Sequence, residues 1–152
     1  MATVYMLCGL PGSGKTTRAR QIEQEHQAIR LAEDDWIARL YDEAAIHDND
    51  KRDLIKAVQW DLAERLLARG IDVVFDWGVW SRNERDDYRA RCAALGASSV
   101  LVYLDVPLAE LHRRIARRNQ NLPPYTFHIT PAELDEWWAL FEPPTPDEHP
   151  VP

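Results

Sequence analysis

Apolar residues along the chain alternate between short continuous runs and longer stretches with helical spacing. The continuous runs predict four buried strands, at residues 3–7, 28–31, 71–75 and 100–104. Apolar side chains that recur every three or four residues predict helices at 15–24, 34–41, 51–69, 82–95, from 107 onward and at 131–141. Strands that alternate with helices indicate a parallel sheet with right-handed crossovers. The pattern therefore predicts an α/β fold in the order β-α-β-α-α-β-α-β-α-α.

Capping residues predict where several of these helices begin and end. Gly70 and Gly96 follow two of the periodic stretches, as C-terminal stop residues do. Thr130 precedes the last helix and Glu133 lies three positions on, which predicts a capping box.

Length and composition predict one domain. The chain has 152 residues, of which 45% are hydrophobic and 28% charged, a balance typical of soluble globular proteins. We expect a single domain over residues 1–142, with a lid at about 113–130, and a loose, proline-rich acidic tail at 143–152. Because no apolar stretch is long enough to cross a membrane and no signal peptide is evident, we expect a cytoplasmic protein without a membrane partner.

An eight-residue motif follows the first predicted strand. Residues 9–16 read Gly-Leu-Pro-Gly-Ser-Gly-Lys-Thr, which fits the phosphate-loop pattern G-x-x-x-x-G-K-[ST]. Glycines let the main chain aim its N–H groups at phosphates, and the following helix adds its positive N-terminal end. Lys15 is expected to reach the β- and γ-phosphates, and Thr16 to bind Mg²⁺. The predicted nucleotide-binding residues here are Gly9, Pro11, Gly12, Ser13, Gly14, Lys15, Thr16 and Thr17.

Carboxylates stand at the predicted carboxyl ends of three strands. Asp34 and Asp35 follow the second strand, Asp76 ends the third and Asp105 ends the fourth. Ligands of open parallel sheets bind at this edge, so we expect the aspartate pair near the phosphate loop. A carboxylate there can orient an acceptor hydroxyl, and Asp76 can hold Mg²⁺ through water. The alternative for Asp34 and for Asp35 is that the residue caps the next helix, and Asp105 is expected to cap the helix opened by Pro107.

Arginines and tryptophans suggest the remainder of a site. Arg114 and Arg118 share a helix face, and arginine can stack on adenine or bind phosphate, although a solvated basic face is the alternative. On the acceptor side we place Asp35 and four further candidates: Trp36, Trp77, Trp80 and Arg82. Aromatic walls suit a flat organic molecule, but the tryptophans could equally pack against helices, and Arg82 could lie on a solvated face.

With these motifs located, the chain resembles the small P-loop kinases related to polynucleotide 5′-hydroxyl kinase, zeta-toxin and chloramphenicol phosphotransferase, a group of AAA-like ATP-binding proteins. The resemblance rests on residues 9–17, Asp-Asp at 34–35, Val-Val-Phe-Asp at 73–76 and Asp-Val-Pro at 105–107. It implies a three-layer α/β/α sandwich with sheet order 2-3-1-4, a helical lid and ATP as the nucleotide. It also implies that Lys15, Asp34 and Arg118 are catalytic, and that Arg114 and Arg118 serve the adenine and phosphates.

Two departures shape the functional prediction. Ile37 stands where the phage polynucleotide kinase has an arginine that holds the nucleic-acid phosphate, and no fifth strand is evident after the lid, so we expect about four strands. The net charge of −7 also disfavours a long polyanionic partner. We therefore expect an ATP-dependent, Mg²⁺-dependent kinase that phosphorylates a hydroxyl of a small molecule. A polynucleotide 5′-kinase and a regulatory ATPase without an acceptor stay open, and the oligomeric state is not predicted.

Overall fold

The chain folds around a four-stranded parallel sheet. A computed structural model describes residues 1–152, apart from the side chain of Glu43. The strands are ordered β2-β3-β1-β4 and comprise β1 (Thr3–Cys8), β2 (Ile29–Ala32), β3 (Val73–Gly78) and β4 (Ser98–Tyr103). All three strand pairings are parallel. The predicted strand number, direction and order are confirmed, and the observed strand ends lie within three residues of the predicted ones.

Helices cover both faces of the sheet. They are α1 (Lys15–His26), α2 (Glu33–Leu40), α3 (Asn49–Leu67), α4 (Arg82–Ala94), α5 (Leu108–Gln120) and α6 (Pro131–Leu140), with 3-10 turns at Glu43–His47 and Pro146–Glu148. None of these described helices combines the length and the apolar character needed to span a lipid bilayer.

Alternation along β1 separates two layers of core. Val4 and Met6 pack with side chains of α3 and α4, whereas Leu7 packs with Ala19 and Ile22 of α1 on the other face. This alternation is the two-residue period of a strand that is covered on both sides. The result is the predicted α/β/α sandwich, with the carboxyl ends of the strands at one common edge.

Two predicted helix caps are wrong. The N-cap of helix α2 is Ala32, two positions before the expected Asp34, so Asp34 lies inside the first turn of the helix and caps nothing. Helix α5 begins after Pro107 without a side-chain cap, and Asp105 accepts a hydrogen bond from the hydroxyl of Tyr103 instead, at 3.3 Å. Neither the Asp34 nor the Asp105 carboxylate therefore caps a helix, which was the structural alternative to a functional role for each of them.

Other predicted helix ends are confirmed. Thr130 and Glu133 form the expected capping box at α6, with each side chain bonded to the other residue's main-chain N–H. Gly70 and Gly96 follow α3 and α4 with φ angles of 74° and 69°. These left-handed conformations favour glycine because it has no Cβ.

The expectation of a loose tail is wrong. Glu148 is buried and forms an ion pair with Arg85, at 2.8 Å between Oε1 and Nε. Val151 forms a parallel bridge beside Val102, where it donates to Leu101 O at 2.9 Å and accepts from Tyr103 N at 2.7 Å. Side-chain and main-chain bonds thus hold the last residues against β4 and α4.

Candidate functional site

The phosphate loop occupies the connection between β1 and α1. Gly12 and Gly14 have φ angles of 85° and 94°, and Gly14 is the N-cap of α1 without a side-chain bond. The first N–H groups of α1 are thus left for a ligand at the positive end of the helix. A Cβ on Gly9 would lie 2.6 Å from Ser13 Oγ, so the tight turn requires glycine there.

The loop is tied to the end of β3. Gly9 donates its N–H to Gly78 O and accepts from Trp80 Nε1, each at 3.2 Å. Gly78 has a φ of 90°, and a Cβ there would lie 2.9 Å from Trp80 Nε1. Two hydrogen bonds therefore hold the phosphate loop against the end of β3 and the residues that follow it.

Thr16 and Asp76 meet at the start of α1. Thr16 Oγ1 donates to Asp76 Oδ2 at 3.0 Å, and Arg30 Nε donates to the same oxygen at 3.1 Å. A hydroxyl and a carboxylate are hard oxygen ligands of the kind that Mg²⁺ takes alongside nucleotide phosphates. The donor set fits the expected ion. Among the described residues there is no group of three or more His, Cys, Asp or Glu side chains that could hold a metal ion.

Lys15, Asp34 and Arg118 share one electrostatic environment. Burial lowers the pKa of Lys15, and the charges of Asp76 and Asp34 oppose that shift. Burial also lowers the pKa of Arg118, again against the charge of Asp34. Lys15 Nζ donates to Leu10 O at 3.0 Å. Two desolvated cations thus lie within electrostatic reach of Asp34, and Asp76 acts on Lys15 as well. Desolvated cations suit a substrate that carries concentrated negative charge.

A cavity of about 390 Å³ joins these groups. That volume is within the range of small-molecule sites. Most of the predicted site residues line it, namely Pro11, Gly12, Lys15, Thr16, Asp34, Asp35, Asp76, Trp77, Trp80 and Arg118. The segment between α5 and α6 adds Tyr125, Thr126, Phe127 and Ile129.

Seven of the predicted site residues do not line the cavity. Four of them belong to the phosphate loop or the start of α1, namely Gly9, Ser13, Gly14 and Thr17, and the other three are Trp36, Arg82 and Arg114. Trp36 is partly buried between α2 and the core and does not line the cavity. Arg82 is exposed and binds Asp86 and Asp147, so the solvated alternative holds for it. Arg114 pairs with Glu110 at 2.8 Å and donates to Gly12 O at 3.2 Å, so it contacts the phosphate loop without lining the cavity.

Sequence reasoning missed a charged group on α2, α3 and α4. Glu33 is 1% exposed and lines the cavity together with Arg52, Lys56 and Glu84. Burial raises the pKa of Glu33 to about 7, although Lys56 and Arg52 act against the shift. The only signal in the sequence was an acidic residue next to the aspartate pair, which is also how an ordinary helix N-terminus looks.

The wall formed by β2 and β3 is fixed by a buried glutamine. Gln59 Nε2 donates to Ala32 O at 3.1 Å, and its Oε1 accepts from Trp77 Nε1 at 2.6 Å. The Trp77 ring stacks on Phe75 with centroids 3.9 Å apart. Trp77 therefore lines the cavity and is also a rigid part of the core, so it is both a wall of the site and a packing residue.

Fold and site together define a P-loop protein of the kinase type: a Walker-type loop precedes α1 in a parallel sheet ordered β2-β3-β1-β4. The chain belongs to the AAA domain family, which it matches over residues 4–144.

Known proteins agree with this assignment. A probable adenylyl-sulfate kinase of Aeropyrum pernix is 27% identical over an alignment of 153 positions, which covers 97% of this chain and 79% of the relative. A gluconokinase from Sinorhizobium meliloti has a TM-score of 0.66 at 18% identity, over 99% of this chain and 79% of its own. Kti12 of Chaetomium thermophilum, solved with ADP-AlF3, has a TM-score of 0.73 at 18% identity, over 95% of this chain and 82% of the Kti12 chain. The likeness to the two solved structures shows the fold.

Proposed function

We propose that the protein is an ATP-dependent phosphotransferase that moves the γ-phosphate of ATP to a hydroxyl of a small-molecule acceptor. One observation carries the proposal: the phosphate loop, the Thr16–Asp76 pair and the Asp34 carboxylate line a single cavity of about 390 Å³. Its size accommodates a small acceptor beside the phosphates. The similarity to a probable adenylyl-sulfate kinase and to a gluconokinase supports the reaction class.

The loop binds and orients the triphosphate in this proposal. Main-chain N–H groups of residues 9–16 and the start of α1 bind the β-phosphate, and Lys15 neutralises the β- and γ-phosphates. Thr16 and Asp76 would hold Mg²⁺, which supplies charge neutralisation at the phosphate oxygens. Arg118 lines the same cavity, and its Nε is buried without a hydrogen-bond partner among the described residues. That donor is available for the phosphoryl group in transfer.

Asp34 orients the acceptor. Its side chain is 55% exposed, and Oδ1 accepts from Arg52 Nη2 at 3.1 Å, which fixes the carboxylate while its other oxygen stays free for a ligand. That oxygen accepts the proton of the acceptor hydroxyl as the hydroxyl oxygen attacks the γ-phosphorus. The bond between the γ-phosphorus and the β,γ-bridging oxygen breaks in the same step, and ADP leaves. We assign the segment at about 113–130 as a lid, since its loop residues line the cavity.

A polynucleotide acceptor receives less support. Ile37, at the position of the missing arginine, is fully buried and cannot contact a phosphate. The cavity is also lined by six carboxylates, which repel a polyanion: Glu33, Asp34, Asp35, Asp53, Asp76 and Glu84.

The test is a screen of hydroxyl compounds and an oligonucleotide with a 5′-hydroxyl, incubated with Mg·ATP and followed by mass spectrometry for the gain of one phosphoryl group. We expect transfer to a small molecule, and we expect Asp34→Asn to abolish transfer while ATP binding, measured by calorimetry, survives. Asp61→Asn, at an exposed position of α3, is the matched control. ATP hydrolysis that no hydroxyl compound accelerates would replace the proposal with a regulatory ATPase, and undiminished transfer by Asp34→Asn would remove Asp34 from the mechanism.

A further inference from the structure

The cavity wall contributed by α2, α3 and α4 carries an excess of negative charge. We call it the α2–α4 wall, and its charged members are the carboxylates of Glu33, Asp34, Asp35, Asp53 and Glu84 and the cations of Arg52 and Lys56. Five carboxylates therefore face two cations in the part of the cavity that α2, α3 and α4 form.

Both cations of this wall are already paired within the protein. Arg52 Nε lies 2.7 Å from Glu33 Oε1, and its Nη2 lies 3.1 Å from Asp34 Oδ1. Lys56 Nζ lies 2.7 Å from Glu84 Oε1 and 3.7 Å from Glu33 Oε2. An anionic acceptor would have to break these pairs and then lie beside the carboxylates they leave behind, which costs free energy on both counts.

Glu33 lacks the hydrogen bonds that its burial calls for. Its side chain is 2% exposed. Arg52 Nε lies 2.7 Å from Oε1 as an ion pair without forming a hydrogen bond to it, and Lys56 Nζ, at 3.7 Å from Oε2, is too far away for one. Among the described residues, both Glu33 oxygens are consequently without a hydrogen-bond partner. A buried polar group left without partners costs free energy, and a ligand that supplies donors recovers it. Because Glu33 lines the cavity, those donors can come from the bound acceptor.

We propose that the acceptor is a donor-rich molecule without net negative charge, a polyol or an amino-polyol, and that Glu33 selects it by accepting hydrogen bonds from its hydroxyl or ammonium groups. This inference rests on the proposed function, whose acceptor it assigns to a chemical class. It separates this chain from the Aeropyrum pernix relative, which is named for adenylyl sulfate, an anion.

The test compares three six-carbon probes that differ in charge: glucosamine, glucose and gluconate. Glucitol, the uncharged open-chain counterpart of gluconate, is titrated as well and separates the effect of charge from that of the pyranose ring, and we expect it to bind as glucose does. Binding of each is titrated by calorimetry with the full chain, Mg²⁺ and a non-hydrolysable ATP analogue. We expect glucosamine and glucose to bind at least about tenfold more tightly than gluconate. Glu33→Gln should weaken glucosamine and glucose by about tenfold and leave gluconate no weaker. The matched control, Glu136→Gln at an exposed position of α6, should retain the order of the wild-type protein.

Thermal unfolding of each variant shows whether the variant is folded. Glu33→Asp, which keeps the carboxylate, should retain the preference for uncharged and cationic probes. Gluconate binding as tightly as glucose, an absence of binding by all three probes, or an unchanged preference in folded Glu33→Gln would overturn the inference. Release of ADP from ATP with each probe is measured in parallel and tests the proposed function separately. Phosphorylation of gluconate alone would support the proposed phosphotransferase function and refute the proposed acceptor class. Selective binding of glucosamine without phosphoryl transfer would support the binding preference and refute the proposed function.

Discussion

Arg85 and Glu148 lie 63 positions apart and form an ion pair with two hydrogen bonds, Nε to Oε1 at 2.8 Å and Nη2 to Oε2 at 3.1 Å. Both side chains are buried. Arg85 Nη1 also donates to Val79 O at 3.0 Å and to Trp80 O at 3.1 Å. Because Val79 and Trp80 line the cavity, one guanidinium connects the end of the chain to the site.

Removal of the Glu148 carboxylate should destabilise the fold. Glu148→Ala leaves the Arg85 charge buried without its partner, and breaking one side of such a pair costs about 3–5 kcal/mol. We expect the free energy of unfolding in urea to fall by that amount. Glu136→Ala changes an exposed glutamate and should have little effect. A Glu148→Ala variant as stable as the wild-type protein would mean that Arg85 finds another partner.

The same pair predicts an acid transition. Burial alone would raise the pKa of Glu148, but hydrogen bonds from Arg85 and Arg89 hold that pKa at about 2. A carboxylate with a lowered pKa in the folded state stabilises the fold above its ordinary pKa of about 4.5, and this contribution is lost as the pH falls from there towards 2. We expect urea titrations between pH 5 and pH 2 to show that loss in the wild-type protein and a shallower one in Glu148→Gln.

Glu33 should give stability the opposite pH dependence. Because burial raises its pKa to about 7, the folded protein binds more protons than the unfolded chain between about pH 4.5 and 7. The contribution of Glu33 to the free energy of unfolding therefore decreases as the pH rises through that window, by on the order of 1–3 kcal/mol. Urea titrations at pH 5 and pH 8 should show a smaller difference for Glu33→Gln than for the wild-type protein. An equal difference in both would show that Glu33 is ionised throughout.

Lys15→Ala should remove most nucleotide binding. The substitution takes away the cation that the loop directs at the phosphates, and one hydrogen bond to a charged group is worth about 1.5–3 kcal/mol, or about 10- to 100-fold in affinity. Calorimetry with Mg·ATP measures the loss. Lys51→Ala, at a lysine outside the cavity that pairs with Asp48, should bind as the wild-type protein does. Equal affinity of Lys15→Ala would contradict the assignment of the loop.

Gln59 offers a test of the cavity wall. Gln59→Leu leaves Trp77 Nε1 and Ala32 O buried without their partner, at a cost of about 1–3 kcal/mol for each group. The thermal unfolding midpoint should fall accordingly, whereas Gln21→Leu, at an exposed position of α1, should change it little. An unchanged midpoint would indicate that water replaces the amide.

The sequence predicted those parts of the fold that depend on neighbouring residues. The strands, the Thr130–Glu133 capping box and the loop at 9–16 are local patterns, so periodicity and spacing suffice for them. Asp34 and Asp76 were placed near the loop because parallel strands bring their carboxyl ends to one edge. The cavity contains both residues, while their catalytic and metal-binding roles stay predictions.

The remainder depended on partners that are distant along the chain. The tail appeared loose because Glu148 and Val151 find their partners on α4 and β4, and no local spacing reveals such pairs. Trp36 and Arg82 were both predicted to lie on the acceptor side because they are close to strand ends along the chain. Both side chains point elsewhere, since the position of a residue near a strand end does not determine the direction of its side chain. Glu33 was missed because its importance lies in burial, which the acidic run of residues 33–35 conceals.

The bridge at Val151 also bears on self-association. Strand β4 is an outer strand of the sheet, and an open outer strand offers unpaired main-chain groups to any other extended chain. Val151 bonds to Leu101 and Tyr103 and so satisfies one N–H and one C=O of that strand within the same molecule. Proline at positions 150 and 152 keeps the segment from adding further N–H groups beside it. The residues around Val151 thereby cover part of the β4 edge and make that edge a poor template for aggregation.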